Sequence, residues 1–298
     1  MKIEKSVGIH DGHFHADEVT ACALLVAFGC VDRERIIRTR DPALLEKCEF
    51  VCDVGGLYNS EKKQFDHHQV SYLGELSSAG MILKYLLAEK IIQEEEYRFF
   101  YHSLIQGVDD HDNGRSPQIP GVCTFSHVIA NFNPPQYDAA PEEQEKAFRE
   151  AFIFALGQCQ RMCQRHLYNV SSRKEVEEAM ERHQVCLLFD RAIPWLENFF
   201  ALGGESHPAL FVIMPSKTQW KLRGIPPTFP RRMEVRLPLP LEWAGLLEED
   251  LQKVSNIPGA VFCHKGRFTS VWEKREDALK ALQFILKTQG IPYDKNHL

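Results

Sequence analysis

The chain of 298 residues is long enough for two domains, and its composition, 44% hydrophobic and 26% charged, is that of an ordinary globular protein. The formal net charge of −6 excludes a protein coated in basic residues, so a nucleic-acid partner would need a local basic patch. Nine irregularly spaced cysteines indicate reduced thiols. We find neither a targeting peptide nor an apolar run that approaches the roughly 20 residues of a membrane span. We therefore predict a cytoplasmic protein.

Strand and helix patterns alternate along the first 140 residues. The apolar segments KSVGIH (5–10) and FVCDVGG (50–56) predict strands, and a helix is predicted between them from Asp17 to Gly29. This alternation is typical of βαβ units, so we predict an α/β fold in which a mostly parallel sheet is flanked by helices. The predicted elements are, in chain order, 5–10, 17–29, 36–40, 42–48, 50–56, 77–92 and 94–114.

The rest of the sequence changes character twice. Residues 141–189 are rich in charge and in helix formers, with a break at Ser171-Ser172, and we predict a helical connector there. Residues 190–298 contain short apolar segments with turns, which predict a smaller C-terminal α+β domain. The elements predicted in it are strands at 209–216 and 221–227, a strand and loop at 259–272, and a helix at 275–287.

Four separate segments of the first 140 residues place histidine or aspartate at the end of a predicted element. They are HDGHFHADE (10–18), Asp53 in FVCDVGG, Asp66-His67-His68, and the DDHDNG segment (109–114). Because open α/β sheets bind ligands at the carboxyl ends of their strands, we expect these side chains at one edge of the sheet. A loop explains His13 alone, and a turn explains a single aspartate. The four segments together favour a built site.

Mixed imidazole and carboxylate ligands are typical of sites for manganese, iron or zinc. Several aspartates together also suit a pair of divalent ions that share one bridging carboxylate. Such a pair activates a water molecule near neutral pH and clamps the oxygens of a phosphoryl group. The four segments therefore predict a hydrolase that cleaves phosphoesters.

The motifs HDGHFHADE, DVGG, FDHHQ, SSAG, DNG and FCHKGRF occur in this order and span nearly the whole chain. In these motifs the sequence resembles the melanocyte-proliferating-gene-1-like (Myg) family of the DHH phosphoesterase superfamily. The resemblance implies that residues 1–140 form a DHH-like, metal-binding catalytic domain and that residues 190–298 bind the substrate. It also implies two divalent metal ions, with Mn²⁺ as the first choice and Mg²⁺, Co²⁺, Fe²⁺ or Zn²⁺ as alternatives.

The resemblance assigns roles to individual residues of the catalytic domain. His68 would face the phosphate as general acid or transition-state stabiliser, and Asp66 would orient a histidine ring. Glu18 has two interpretations, a residue behind the ligands or a favourable charge in the first turn of a helix, and we favour the second. The metal ligands implied by the resemblance are His10, His15, Asp17, Asp53, His67 and Asp109.

Three further segments carry candidate substrate contacts. The resemblance places His264 and Gly266 in a substrate loop of the C-terminal domain. The segment WKLR (220–223), with Arg231 and Arg232 downstream, can stack a base and neutralise phosphates, although a solvated strand face explains it equally well. The resemblance favours substrate contact for Arg231 or Arg232. The segment NFNPP (131–135) could shape a substrate rim, but an ordinary turn explains it fully.

The resemblance also implies the substrate class. It implies a 3′-to-5′ exonuclease that acts on single-stranded RNA, and short oligonucleotides are a substrate that the composition leaves open. The residues alone leave other functions open, because an acidic protein with one modest basic cluster could equally hydrolyse a small phosphate ester, a dinucleotide or pyrophosphate. A metal-containing regulatory protein without hydrolytic activity is the alternative outside enzymes, and His68 argues against it, because a purely structural site would not need this residue.

Overall fold

The computed structural model describes residues 2–136 and 138–292, and the chain divides into two compact units, Met1–His166 and Leu167–Leu298. Each unit contains one five-stranded sheet flanked by helices, which confirms the predicted mixed α/β fold class. Across the described ranges, no helix combines the length and the apolar character that a bilayer span requires.

The N-terminal unit begins with alternating strands and helices, and its last helix continues to Ser171 in the C-terminal unit. The elements are β1 (Ile3–Ile9), α1 (Ala16–Ala27), β2 (Ile36–Arg38), α2 (Pro42–Leu45), β3 (Cys48–Cys52), β4 (Tyr58–Asn59), β5 (Gln64–Phe65), α3 (Ser78–Ala88), α4 (Glu94–Phe100), α5 (Gln106–Asp112), α6 (Phe125–Ala130) and α7 (Pro141–Ser171). The strands form a mostly parallel sheet with the order β2-β1-β3-β5-β4, in which β4 alone is antiparallel to its neighbour. Fully buried Ile9 and Phe65 belong to the core that this sheet forms with helices α1 and α3. Burial of such side chains is the main stabilising contribution to this unit.

The predicted helix at 94–114 is interrupted by a five-residue π-helix, Tyr101–Ile105, between α4 and α5. A π-helical turn contains more residues than an α-helical turn, so it changes which side chains of α5 face the interior. Val108 and Asp109 are buried there, at 1% exposure each. The two-residue strands β4 and β5 were not predicted, because segments this short carry no usable alternation.

The C-terminal unit contains a sheet with the order β6-β7-β8-β10-β9, in which only β6 and β7 are parallel. One face packs against Trp243 and Leu282, and the other against Phe199 and Val176. The elements are α8 (Arg173–Arg182), β6 (Cys186–Leu188), α9 (Leu196–Ala201), β7 (Phe211–Ser216), β8 (Gln219–Gly224), α10 (Glu248–Ser255), β9 (Ala260–Cys263), β10 (Thr269–Trp272) and α11 (Arg275–Thr288).

Two details of this half differ from the sequence-based expectation. The helical region expected at 141–189 has its break at Ser171-Ser172, as predicted, but it ends at Arg182, and Cys186–Leu188 forms strand β6. The apolar run VCLLF explains the strand, since its partner in β7 buries it. The segment 259–272 forms two antiparallel strands rather than one strand and a loop.

Candidate metal centre and active site

The candidate site lies at the carboxyl edge of the N-terminal sheet, where three parallel strands end. His10 follows β1 directly, Asp53 follows β3, and Asp66 follows β5. Asp17 stands in the first turn of α1, which begins after the same loop as His10. This is the edge at which open α/β sheets bind ligands, and the sequence-based expectation of a shared edge holds for these four residues.

Asp53 occupies the centre of the site. Its Oδ2 lies 3.2 Å from His10 Nε2, and its Oδ1 lies 3.2 Å from His67 Nε2. The residue has a φ of 56°, in the left-handed region, and Gly55 follows with a φ of 97°. A side chain with a Cβ is strained by about 1–2 kcal/mol in that region, and such strain concentrates at functional sites. The turn after β3 therefore holds the Asp53 carboxylate between two histidines.

Candidate ligand atoms around Asp53 form overlapping groups in which all atoms lie within 4.8 Å of one another. Asp53 belongs to two of these groups, and His15 also belongs to two. His67 joins the sets, because its Nε2 lies 3.1 Å from Asp112 Oδ2 and 3.8 Å from Asp17 Oδ2. The groups are His10, His15, Glu18 and Asp53; Asp53, His67 and His68; and His15, Asp17 and Asp112.

The carboxylates of this cluster are buried close to one another. Asp17 and Glu18 are fully buried, and Asp53 is 3% exposed. Burial, together with the negative charges of Asp53, Glu18 and Asp112, raises the pKa of Asp17 well above its ordinary value. Neither carboxylate oxygen of Asp17 has a hydrogen-bond partner within the described part of the chain. A cation bound at the site would supply the partner that these buried oxygens lack.

The histidines of the cluster respond to the same carboxylates. Burial works to lower the pKa of His10 and His67. Hydrogen bonds to Asp53 and Glu18 nevertheless raise the pKa of His10 to about 10, and those to Asp112 and Asp53 raise the pKa of His67 to about 10. Burial likewise opposes ionisation of Asp53, yet hydrogen bonds from His10 and His67 hold its pKa below the ordinary value. Protons on the two rings and a divalent cation are alternative ways to balance these charges. Imidazole nitrogens and carboxylate oxygens form a donor set that suits divalent metal ions.

Glu18 is more closely involved in the site than the sequence analysis favoured. Its carboxylate accepts hydrogen bonds from the His15 backbone N–H at 2.9 and 3.0 Å, and it lies 2.9 Å from His10 Nε2. The side chain therefore caps α1 and also orients the His10 ring. An acidic residue in the first turn of a helix is so common that sequence gave no signal for this second contact.

The structure does not bring Asp109 into the ligand group. Its Oδ1 accepts hydrogen bonds from Ser77 N–H at 3.0 Å, Ser77 Oγ at 2.7 Å and Gly80 N–H at 3.1 Å, at the start of α3. Burial raises the pKa of Asp109 to about 6, although these hydrogen bonds work in the other direction. Asp112, which the sequence analysis did not single out as a candidate ligand, lies beside His67 instead. The two aspartates are three residues apart in α5, and they differ in the groups that their side chains contact.

His68 is held by Asp66 at the mouth of the site. Asp66 is 3% exposed, and its Oδ1 lies 2.8 Å from His68 Nδ1 and accepts from the His68 backbone N–H at 3.1 Å. The His68 side chain is 60% exposed and lines a pocket of about 600 Å³ together with His10, His15 and Asp53. The ring therefore presents its Nε2 edge on the side away from Asp66, where a ligand in the pocket can meet it.

The candidate substrate residues of the C-terminal unit lie in turns, where Arg231, Arg232 and Gly266 are exposed and His264 is half-buried. Arg231 forms an ion pair with Glu234, and Arg232 is exposed. His264 Nδ1 accepts a hydrogen bond from Gly266 N–H at 2.9 Å in the turn between β9 and β10. The neighbouring Arg236 donates instead to backbone carbonyls, which gives it a structural role; the acceptors include those of Pro226, Ala209 and Gly204.

The fold and the site define an α/β protein with a buried histidine–carboxylate cluster suited to metal ions. A family model named MYG1_exonuc and described as "Uncharacterised protein family (UPF0160)" matches residues 6–285, and the chain belongs to this family. This confirms the resemblance to the Myg family.

Relatives match over almost the full length of the chain. The "MYG1 protein" of Chlamydia trachomatis is 52% identical over 291 residues, which are 98% of this chain and 100% of that protein. The "MYG1 exonuclease" of Rattus norvegicus is 32% identical over 330 residues, covering 96% of this chain and 86% of that protein.

Among solved structures, RecJ of Thermus thermophilus in complex with Mn²⁺ is 13% identical with a TM-score of 0.31. The match covers 98% of this chain and 53% of that chain, so this chain spans about half of its length.

The contacts of Asp109 predict its contribution to stability. The substitution Asp109→Ala removes the acceptor of three hydrogen bonds and leaves the buried N–H groups of Ser77 and Gly80 without a partner, so we expect the free energy of unfolding to fall by about 1–3 kcal/mol. Urea denaturation followed by circular dichroism measures this change. The matched control is Asp110→Ala, which breaks a partly exposed ion pair with Arg115 and should cost less than about 1 kcal/mol. Equal losses in the two variants would contradict the structural role of Asp109.

Proposed function

We propose that this protein is a metal-dependent nuclease that removes nucleotides from the 3′ end of single-stranded RNA. The observation that carries the proposal is the position of Asp53. One of its carboxylate oxygens faces His10 and the other faces His67, which is the arrangement expected of a carboxylate shared by two cations. Family membership supports the hydrolytic activity, because several relatives carry the name MYG1 exonuclease. The choice of RNA and the direction of cleavage are what the Myg resemblance implies.

Six side chains would hold two divalent ions, with Mn²⁺ as the first choice and Mg²⁺, Co²⁺, Fe²⁺ or Zn²⁺ as alternatives. Asp112 takes the place of Asp109 in this proposal, because it is the aspartate of α5 that contacts His67. Glu18 supports the set from behind His10. One ion would be held by His10, His15 and Asp53, and the other by Asp17, Asp53, His67 and Asp112.

The reaction would be cleavage of a phosphodiester bond by water, which becomes bonded to phosphorus as the bond to the leaving oxygen breaks. Ions bound at the site would lower the pKa of that water and neutralise charge on the phosphate. Asp66 fixes the His68 ring by accepting a hydrogen bond at Nδ1, so a proton carried on Nε2 can pass to the leaving oxygen. In the C-terminal unit, we retain His264, Gly266, Arg231 and Arg232 as proposed substrate contacts.

A cleavage assay tests the function. With Mn²⁺, the purified protein should shorten 5′-labelled single-stranded RNA progressively from its 3′ end, and Asp53→Asn should lower the rate by at least about a hundredfold, because it removes a charge from the centre of the site. The control Asp190→Asn changes an aspartate whose side chain is 92% exposed and should keep the parental rate. Absence of RNA cleavage, or cleavage of pyrophosphate or dinucleotides only, would overturn the proposed substrate. Parental activity of Asp53→Asn would overturn the proposed site.

Metal binding distinguishes the two aspartates of α5. We expect Asp112→Asn to weaken Mn²⁺ binding at least about tenfold, because it replaces a charged oxygen beside His67. Asp109→Asn keeps an oxygen that can accept from Ser77 and Gly80, so it should bind Mn²⁺ as the parent does. Isothermal titration calorimetry on protein freed of metal by chelation measures both. Loss of affinity in Asp109→Asn with parental affinity in Asp112→Asn would reverse the assignment.

A further inference from the structure

A second pocket lies beside the candidate active site in the N-terminal unit. Its volume is about 690 Å³, close to the roughly 600 Å³ of the active-site pocket, and both volumes fall within the range of small-molecule sites. The two pockets have one lining residue in common, His13, whose ring packs edge-on against that of His15 at 5.6 Å. The two pockets therefore adjoin at His13, which packs against the candidate ligand His15.

The lining of the second pocket differs in chemistry from the active-site pocket. Among the described residues its lining contains no Asp, Glu, Lys or Arg; Pro134 and Pro135 provide apolar walls, and side-chain amides provide polar groups. The amides of Asn131 and Gln136 are exposed and make no hydrogen bond with any described residue. Each offers donors and an acceptor at once. This pocket suits a neutral, planar heterocycle with its own donors and acceptors, since its described lining offers no lysine or arginine to a phosphate.

Hydrogen bonds fix the wall of this pocket to the loop that carries the candidate metal ligands. The amide of Asn133 accepts from Phe14 N–H at 3.1 Å and donates to Phe14 C=O at 2.8 Å, one residue before His15. On the other side of the loop, the Arg38 guanidinium donates to the carbonyls of Gly12 and Gln144. The spacing between the pocket and the ligand cluster is thus set before any ligand binds, which reduces the entropy cost of binding.

We propose that the second pocket binds the nucleobase of the nucleotide whose phosphodiester is cleaved, with the amides of Asn131 and Gln136 contacting the edge of the base. His13, on the boundary, would stack against the base or the sugar, as aromatic side chains do with unpaired bases. This inference rests on the proposed nuclease function and extends it, because it makes the base part of the substrate that the protein recognises. A phosphate ester without a base would leave the pocket empty.

A pair of substrates tests the proposal. One is a short single-stranded oligonucleotide, and the other has the same sugar-phosphate backbone with abasic residues. The parent should have the higher kcat/KM on the substrate with bases, and Asn131→Ala combined with Gln136→Ala should reduce this preference about tenfold, because two hydrogen-bonding groups are lost. The control Gln93→Ala removes an exposed amide at the start of α4 and should keep the parental preference.

A binding measurement separates this proposal from the nuclease proposal. Saturation-transfer NMR with a nucleoside, which has no phosphate, should detect binding to the parent without added metal and weaker binding to the double variant. A parent that cleaves neither substrate would overturn the nuclease function, whereas the nucleoside measurement still tests the pocket. Equal kcat/KM on both substrates, or a double variant with the parental preference and parental nucleoside binding, would overturn the pocket proposal.

Discussion

The carboxylates of Asp17, Glu18 and Asp53 are buried close to one another, and the candidate site depends on how their negative charge is balanced. Like charges a few ångströms apart repel by several kcal/mol where water is largely excluded. The pair His10 and His67 relieves the repulsion in their protonated form. The parallel strands and the first turn of α1 hold these groups together, and this arrangement suits a positively charged ligand at the edge of the sheet.

Other polar residues build the frame that keeps the cluster in place. Asp109 ties α5 to the start of α3, Asp66 joins His68 to the glycine turn after β3 through Gly56, and Asn133 fastens the loop before His15. Of these three, only Asp109 is a metal ligand in the sequence-based interpretation; Asp66 orients a histidine ring there, and Asn133 belongs to a turn. In the structure all three bond to backbone groups, and neither Asp66 nor Asp109 belongs to the groups of candidate ligand atoms.

The main features of the site follow from sequence because they depend on where elements begin and end. His10 and Asp53 follow apolar strands, and Asp17 begins a helix, so their meeting at one edge could be predicted from the order of elements. The choice between Asp109 and Asp112 could not be predicted from the sequence. Both residues are in α5, and the preceding π-helix changes the direction in which each side chain points. The dual role of Glu18 and the pairing of β6 with β7 depend on tertiary contacts that local patterns do not report.

We propose that this cluster holds two divalent ions that share Asp53. Anomalous diffraction from crystals grown with Mn²⁺ is the sharpest test, because it locates each ion relative to its ligands. We expect two peaks, one among His10, His15 and Asp53 and the other among Asp17, Asp53, His67 and Asp112. No peak at the cluster, or a peak coordinated by Asp109, would contradict it.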